Sequence, residues 1–237
     1  MSAPAGDVRW LPVADVAELE TTACQRVIDA AIRAIDQRGE FLIVLAGGNT
    51  PRGVYRLLRV QGADWAHWHA YFGDERCLPA DSAERNSRMA ADEWLDHVPI
   101  PKNQLHPIPA ERGPNAAALA YADTLRNVGD FDLVLLGLGD DGHTASLFPG
   151  HDYGSALNGP TVLAVFNAPK LPPERVSLSA ARLSRAREVL FLIAGDSKRD
   201  AVARWRAGEN IPARAIHPRA GADVLIESKL LSDTATQ

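Results

Sequence analysis

Phe41-Leu42-Ile43-Val44-Leu45-Ala46-Gly47-Gly48-Asn49-Thr50-Pro51 decides the fold. The run from Phe41 to Ala46 is continuously apolar, too short and too β-branched for a helix, and it stops at the two glycines, as a strand buried on both faces does. Thr50 then has the place of an N-cap and Pro51 suits a first helical turn, with Val54, Tyr55, Leu57 and Leu58 on the apolar side. Upstream, Val16, Leu19, Ala23, Val27, Ala30, Ala31 and Ala34 recur at three and four, which predicts an amphipathic helix over Val13 to Ile35 ended by Gly39. Downstream the alternation continues. Strands are expected near His69 to Phe72, Leu133 to Leu138, Val162 to Phe166 and Val189 to Ala194, with a weaker pair near Val176 to Leu178 and Val224 to Ile226. Helices are expected from Glu84 to Trp94, Ala116 to Asn127 and Ser197 to Arg206, and the Pro-rich stretch from Val98 to Pro114 fits neither helix nor central strand. Strands alternating with helices mark an α/β fold with a mostly parallel sheet. A length of 237 residues suits one such domain spanning the whole chain, 1–237.

Hydrophobic residues at 46% and charged residues at 23% exclude a disordered, collagen-like or disulfide-scaffold protein. Twenty-five basic against 30 acidic side chains give a net charge of -5, which argues against a nucleic-acid or membrane-surface partner and requires any anionic ligand to be held locally. Cys24 and Cys77 form neither a CxxC pair nor a zinc pattern. Met1 to Asp7 shows no secretory signal and no apolar run approaches a membrane span, so the expected compartment is the cytoplasm. The polar tail from Ser232 to Gln237 is expected to fray. The apolar stripes suffice for one core and no coiled-coil pattern stands out, which leaves a monomer or a small homo-oligomer.

Four polar loops follow expected strands: Gly47-Gly48-Asn49-Thr50, Gly73-Asp74-Glu75-Arg76, Gly139-Asp140-Asp141-Gly142-His143-Thr144 and Gly195-Asp196-Ser197-Lys198. If the strands are parallel, these loops emerge at one edge, where open α/β sheets bind ligands. The first has the parts of a phosphate site, glycines that expose backbone N–H groups and a helix start after Pro51, although an ordinary tight turn reads the same way. It is not a Walker A loop, since GxxxxGK[ST] is absent. Gly137-Leu138-Gly139-Asp140-Asp141-Gly142 formally matches GxGxxG, but two aspartates would face a pyrophosphate and the ribose-binding acid is missing, so a dinucleotide is rejected. His143 beside acidic groups suits general-base work, against the alternative of a polar surface residue. Arg76 can meet a substrate oxygen and Asp74 can orient a neighbour, or both can form structural ion pairs. Asp196 has the place of an N-cap, and Lys198 in the following turn is explained by a bound anion or by a solvated side chain. His67 and His69 would share one strand face but lack a third metal ligand, and Arg182, Arg185 and Arg187 read most simply as a solvated face.

At these residues the chain resembles the 6-phosphogluconolactonase family. The resemblance rests on Ala46-Gly47-Gly48-Asn49-Thr50-Pro51, Phe72-Gly73-Asp74-Glu75-Arg76, Glu84-Arg85-Asn86-Ser87, Gly137-Leu138-Gly139-Asp140-Asp141-Gly142-His143-Thr144-Ala145-Ser146-Leu147-Phe148-Pro149 and Gly195-Asp196-Ser197-Lys198. It implies a three-layer α/β/α Rossmann-like fold with a mostly parallel sheet, as in glucosamine-6-phosphate deaminases and ribose-5-phosphate isomerases, with no metal and no organic cofactor. It implies hydrolysis of 6-phospho-D-glucono-1,5-lactone to 6-phospho-D-gluconate in the oxidative pentose phosphate pathway. His143 would be the base, kept neutral by the following helical turn and oriented by Asp74 or Asp141. Arg76 would contact the ring or the oxyanion, and Gly47, Gly48, Asn49, Thr50 and Lys198 would hold the phosphate. The family usually carries serine at the position of Asn49 and often at that of Ala46. The deaminases carry an acidic residue shortly after the histidine, where this chain has Thr144-Ala145-Ser146.

Overall fold

The computed structural model describes residues 7–232; Met1 to Gly6 and all of the polar tail after Ser232 lie outside them. Ten strands form two sheets: β1 (Val8–Val13), β2 (Phe41–Leu45), β3 (Trp68–Phe72), β4 (Asp74–Arg76), β5 (Leu105–His106), β6 (Phe131–Leu136), β7 (Val162–Val165), β8 (Arg175–Leu178), β9 (Ala186–Ile193) and β10 (Ala222–Glu227). The main sheet has seven strands in the order β1-β10-β9-β6-β2-β3-β5, and every neighbouring pair is parallel. The helices α1 (Val16–Arg38), α2 (Asn49–Leu58), α3 (Asn86–Ala90), α4 (Pro114–Thr124), α5 (Ala180–Ser184) and α6 (Arg199–Arg206) complete a three-layer α/β/α arrangement, with α1 packed on α2 and across β2, β6 and β10. No helix among the described residues is long and apolar enough to cross a membrane.

Two expected strands belong elsewhere. Val162 and Val176 lie on β7 and β8, which join β4 in a separate antiparallel sheet, β4-β8-β7. Asp74–Arg76, expected within a loop, is therefore itself a strand, and it carries the chain from the main sheet onto the small one.

Several element ends differ from expectation for identifiable reasons. The first helix starts at Val16 rather than Val13 because Asp15 is its N-cap: Glu18 N–H donates to Asp15 Oδ1 at 2.9 Å and Ala14 N–H donates to Glu18 Oε2 at 2.6 Å. This reciprocal box satisfies two amides that the helix cannot. Gly39 closes the helix in the left-handed region, as expected. Strand β6 begins at Phe131, two residues before the apolar run, because buried Asp132 is a strut: its Oδ2 accepts Leu42 N–H at 2.9 Å, and Arg38 pairs with Oδ1 at 2.8 Å. The expected helix from Glu84 to Trp94 is α3 followed by a π-helical turn, Ala91–Leu95. Its start is displaced to Asn86 because the buried Glu75 carboxylate accepts Asn86 N–H and Ser87 N–H, both at 2.8 Å.

Candidate active site

In the main sheet, β3 and β5 run to one side of β2, while β6, β9, β10 and β1 lie on the other, so the chain changes direction between β2 and β6. The ends of strands at such a reversal splay apart and leave a crevice. The loops after β2, β3, β6 and β9 meet there in a cleft of about 190 Å³. Gly47, Gly48, Asp74, Arg76, His143 and Lys198 line it, together with Asn86 and Arg175. Asn49 and Thr50 are the first residues of α2 and stand outside the lining, and Asp141 stands behind His143.

Two buried tyrosines hold the strand ends that open into this cleft. Tyr55 Oη, on α2, accepts Ala46 N–H at 3.0 Å and donates to Ala46 C=O at 2.8 Å. Tyr121 Oη, on α4, accepts Phe72 N–H at 2.9 Å and donates to Phe72 C=O at 3.2 Å. Each hydroxyl satisfies both backbone groups of a residue whose strand ladder is ending, so the following loop leaves from a fixed point. Burial pushes both phenols up and keeps them protonated. Gly48, not Thr50, is the N-cap of α2, and no side chain caps the helix, so its first amides remain available to an anion.

The histidine loop is built around its ring. A Cβ on Gly139 would lie 2.0 Å from His143 Nδ1, and Gly142 has φ +88° with Ile211 3.0 Å from where a Cβ would be. The glycines that imitate a dinucleotide fingerprint thus make room for an imidazole and a turn. Gly139 N–H donates to His143 C=O at 2.7 Å and Thr144 Oγ1 to Gly137 C=O at 2.9 Å. Asp141 Oδ1 accepts from His143 N–H at 3.0 Å and from ring Nδ1 at 2.5 Å. The expected helical turn after His143 is absent; an isolated bridge between Thr144 and Leu147 takes its place. Burial, rather than a helix end, holds the imidazole below the ordinary histidine value, against the opposing charge of Asp141. Burial pushes the Asp141 carboxyl up, but His143 N–H and the imidazole outweigh it and keep the acid below its ordinary value. The pair at neutral pH is a neutral imidazole on a carboxylate.

Asp74 makes no hydrogen bond to His143 in this arrangement. Its Oδ1 accepts from Asn86 Nδ2 at 3.0 Å and its Oδ2 from Ser146 Oγ at 2.5 Å. Arg76 donates through Nη1 to Glu84 C=O, and its buried Nε has no hydrogen-bond partner among the described residues. Lys198 is half-buried, and burial lowers its ammonium below the ordinary lysine value. Gly195 precedes its turn as the cap, so Asp196 does not cap the helix; the Asp196 carboxylate meets Arg199 at 3.3 Å instead. Lys170 pairs with the Asp140 carboxylate and thereby occupies a member of the one close cluster of potential metal ligands among the described residues, Asp140, Asp141 and His143.

Arg175, Asn86 and Ser146 were not singled out by residue type. Arg175 is buried on β8, lines the cleft, and ties down the neighbouring loop through Lys170, Leu171 and Pro172 carbonyls at 3.1, 2.9 and 3.0 Å. The arginine opening the weak strand before Val176 was its only sequence signal. The remaining candidates fall away from the cleft. Arg182 is no solvated side chain: it is buried over the Phe131 ring at 3.7 Å and donates to Gly129 C=O at 2.9 Å, while Arg185 and Arg187 are exposed. His67 sits in a 3-10 turn against Asp64 at 2.9 Å, and only His69 is on β3, where its Nδ1 lies 3.3 Å from His106 Nε2. Burial raises the Cys24 thiol and pushes the Cys77 thiol up to about 11, so neither is a ready nucleophile.

Residues 14–225 match the family model described as glucosamine-6-phosphate isomerases/6-phosphogluconolactonase. A 6-phosphogluconolactonase of Synechocystis is 41% identical over 201 residues, covering 79% of this chain and 82% of that protein. One of Mycobacterium tuberculosis is 40% identical over 210 residues, covering 83% and 84% respectively. Among solved structures, the 6-phosphogluconolactonase of Trypanosoma brucei superposes with a TM-score of 0.84 at 27% identity, covering 98% of this chain and 100% of that one.

Proposed function

The chain belongs to the glucosamine-6-phosphate isomerase/6-phosphogluconolactonase family and is a lactone hydrolase, and we propose that His143 drives its reaction, hydrolysis of 6-phosphogluconolactone, as a general base on water. The observation that carries this reading is the 2.5 Å hydrogen bond from Nδ1 to Asp141 in a ring that burial keeps neutral. A neutral imidazole that donates from Nδ1 keeps its lone pair on Nε2, the atom that can take a proton from water. Water adds to the lactone carbonyl as His143 takes its proton, the bond to the ring oxygen breaks, and the imidazolium returns the proton to that oxygen; the new carboxyl group then ionises to 6-phosphogluconate and releases one proton to solvent.

Arg76, with an unpartnered donor at the cleft, meets the ring or the developing oxyanion. Lys198 and the backbone of Gly47, Gly48, Asn49 and Thr50 at the uncapped start of α2 hold the phosphate, which fixes the carbonyl against the water. Asp141 orients the base, and Asp74 enters as a support bound to Asn86 and Ser146. The reaction needs neither metal nor organic cofactor. Loops of both sheets furnish one cleft, so the whole chain serves as one domain with a small-molecule substrate. Cys24 and Cys77 are both free, which suits the reducing cytoplasm we propose as its compartment.

The test is acid release in a pH-stat from freshly generated 6-phosphoglucono-1,5-lactone. The purified chain should raise the rate well above spontaneous hydrolysis. Folded protein that adds nothing to the background overturns the reading.

A further inference from the structure

We infer that Asn86 is a positioning residue for this reaction, spacing the phosphate-binding loop after β2 from the loop that carries the base. The inference rests on the lactonase reading. Asn86 lies in the Glu84-Arg85-Asn86-Ser87 stretch, to which the mechanism gives no chemical step, yet its side chain is 5% exposed and borders the cleft.

Its amide touches two separate pieces of the site and reaches a third through Asp74. On the Nδ2 side it donates to both Asp74 C=O and Asp74 Oδ1 at 3.0 Å. The other Asp74 oxygen accepts from Ser146 Oγ at 2.5 Å, three residues beyond His143, so the contact extends into the loop of the base. On the Oδ1 side the amide fills the space over Gly47, where a Cβ would lie 2.1 Å from Oδ1. Glycine at position 47 is thus required by Asn86.

Asn86 is itself held from below. Its N–H and that of Ser87 donate to the two oxygens of Glu75 at 2.8 Å, and Arg85 Nε lies 3.4 Å from the same carboxylate. Glu75 and Arg85 are buried, so this support is rigid on the scale of a side chain. A buried amide needs hydrogen-bond partners, and here Asp74 alone supplies them while the other end of the amide packs on Gly47, so its length sets a distance between the start of β4 and the loop after β2. A substrate gripped by its phosphate at one end and attacked at C1 at the other is sensitive to that distance, because misplacement by about 1 Å costs on the order of 10²-fold in rate.

The experiment compares Asn86→Ala, Gly47→Ala and the double variant with the wild-type chain. It measures kcat and KM for 6-phosphogluconolactone, Ki for inorganic phosphate as a competitor, and thermal melting. For Asn86→Ala, kcat falls by roughly 10²-fold while phosphate Ki and the folded fraction at assay temperature stay near wild type. For Gly47→Ala, the added methyl collides with the amide and kcat falls; removing the amide as well relieves the collision, so the double variant is no slower than Gly47→Ala alone. Unchanged kcat in Asn86→Ala overturns the inference, as does a loss of phosphate affinity in step with kcat, which would make the amide part of the cradle. Losses that multiply in the double variant also overturn it. If Asn86→Ala does not fold, Gly47→Ala decides alone: undiminished kcat refutes the spacing role. A wild-type chain without lactonase activity is a different outcome and removes the underlying reading instead.

Discussion

Burial and one carboxylate act on His143 in opposite directions. Burial lowers its affinity for a proton, Asp141 raises it, and burial prevails, so the base is free of its proton below the ordinary histidine value of 6.5. The acid limb of the kcat profile should therefore fall below pH 6.5. Asp141→Asn removes the group that raises the value, so the limb should move to still lower pH. The same change replaces a carboxylate that can only accept from Nδ1 with an amide that can also donate to it and so favour the wrong tautomer, and kcat should fall by about 10²- to 10⁴-fold. A pH profile of kcat for both proteins checks the two effects together; a limb that moves upward contradicts this account. The place of His143 in the cleft was legible from its acidic, glycine-rich loop, whereas its pairing with Asp141 rather than Asp74 was not. Both aspartates follow main-sheet strands in polar stretches, and only the chain path shows that Asp141 curls back onto the ring while Asp74 turns to Asn86 and Ser146. Arg182 was misread for a similar reason: three arginines close in sequence look solvated until one is seen stacked on Phe131.

The elements whose residues alternate or recur over many positions were legible. The apolar runs of β2, β3, β6 and β9 and the stripe of α1 are dictated by burial on both faces of one sheet. The missed elements are short or lie at an edge. Strand β1 is half-exposed and contains Pro12, β5 has two residues among prolines, and β4 spells Asp-Glu-Arg, a stretch that no hydrophobic pattern marks. The charges on β4 are buried because Asn86, Ser87 and Arg85 satisfy them, a fact that needs three dimensions. The tyrosine clasps were equally hidden, since Tyr55 reads as one more apolar residue of α2. Tyr55→Phe removes the oxygen that serves both backbone groups of Ala46 and leaves them buried without partners. The expected loss is about 1–3 kcal/mol in urea-induced unfolding. Because Ala46 leads directly into Gly47 and Gly48, KM should rise as well. A variant with unaltered stability would show that these groups find other partners.

Across the molecule, one sheet reversal explains why four sequence-distant loops form one site. The strands after which they emerge, β9, β6, β2 and β3, are consecutive neighbours in the sheet and all point the same way. That convergence was legible once parallel strands were inferred. The second sheet was not, because β7 and β8 carry the same kind of apolar run as the main strands and nothing local says which sheet they join. It matters for function, since β4 supplies Asp74 and Arg76 and β8 supplies Arg175. The main sheet thus carries the loop of His143 and the glycine loop after β2, and the small sheet brings charge to them from the side.

The most direct measurement is kcat/KM of His143→Ala beside the wild-type chain on fresh 6-phosphogluconolactone, each corrected for spontaneous hydrolysis. A buried neutral base that removes the proton from water in the transition state predicts a fall of about 10²- to 10⁴-fold in a variant that melts near the wild-type temperature. A folded His143→Ala protein that turns over as fast as wild type would contradict the account, because no other imidazole lines the cleft among the described residues.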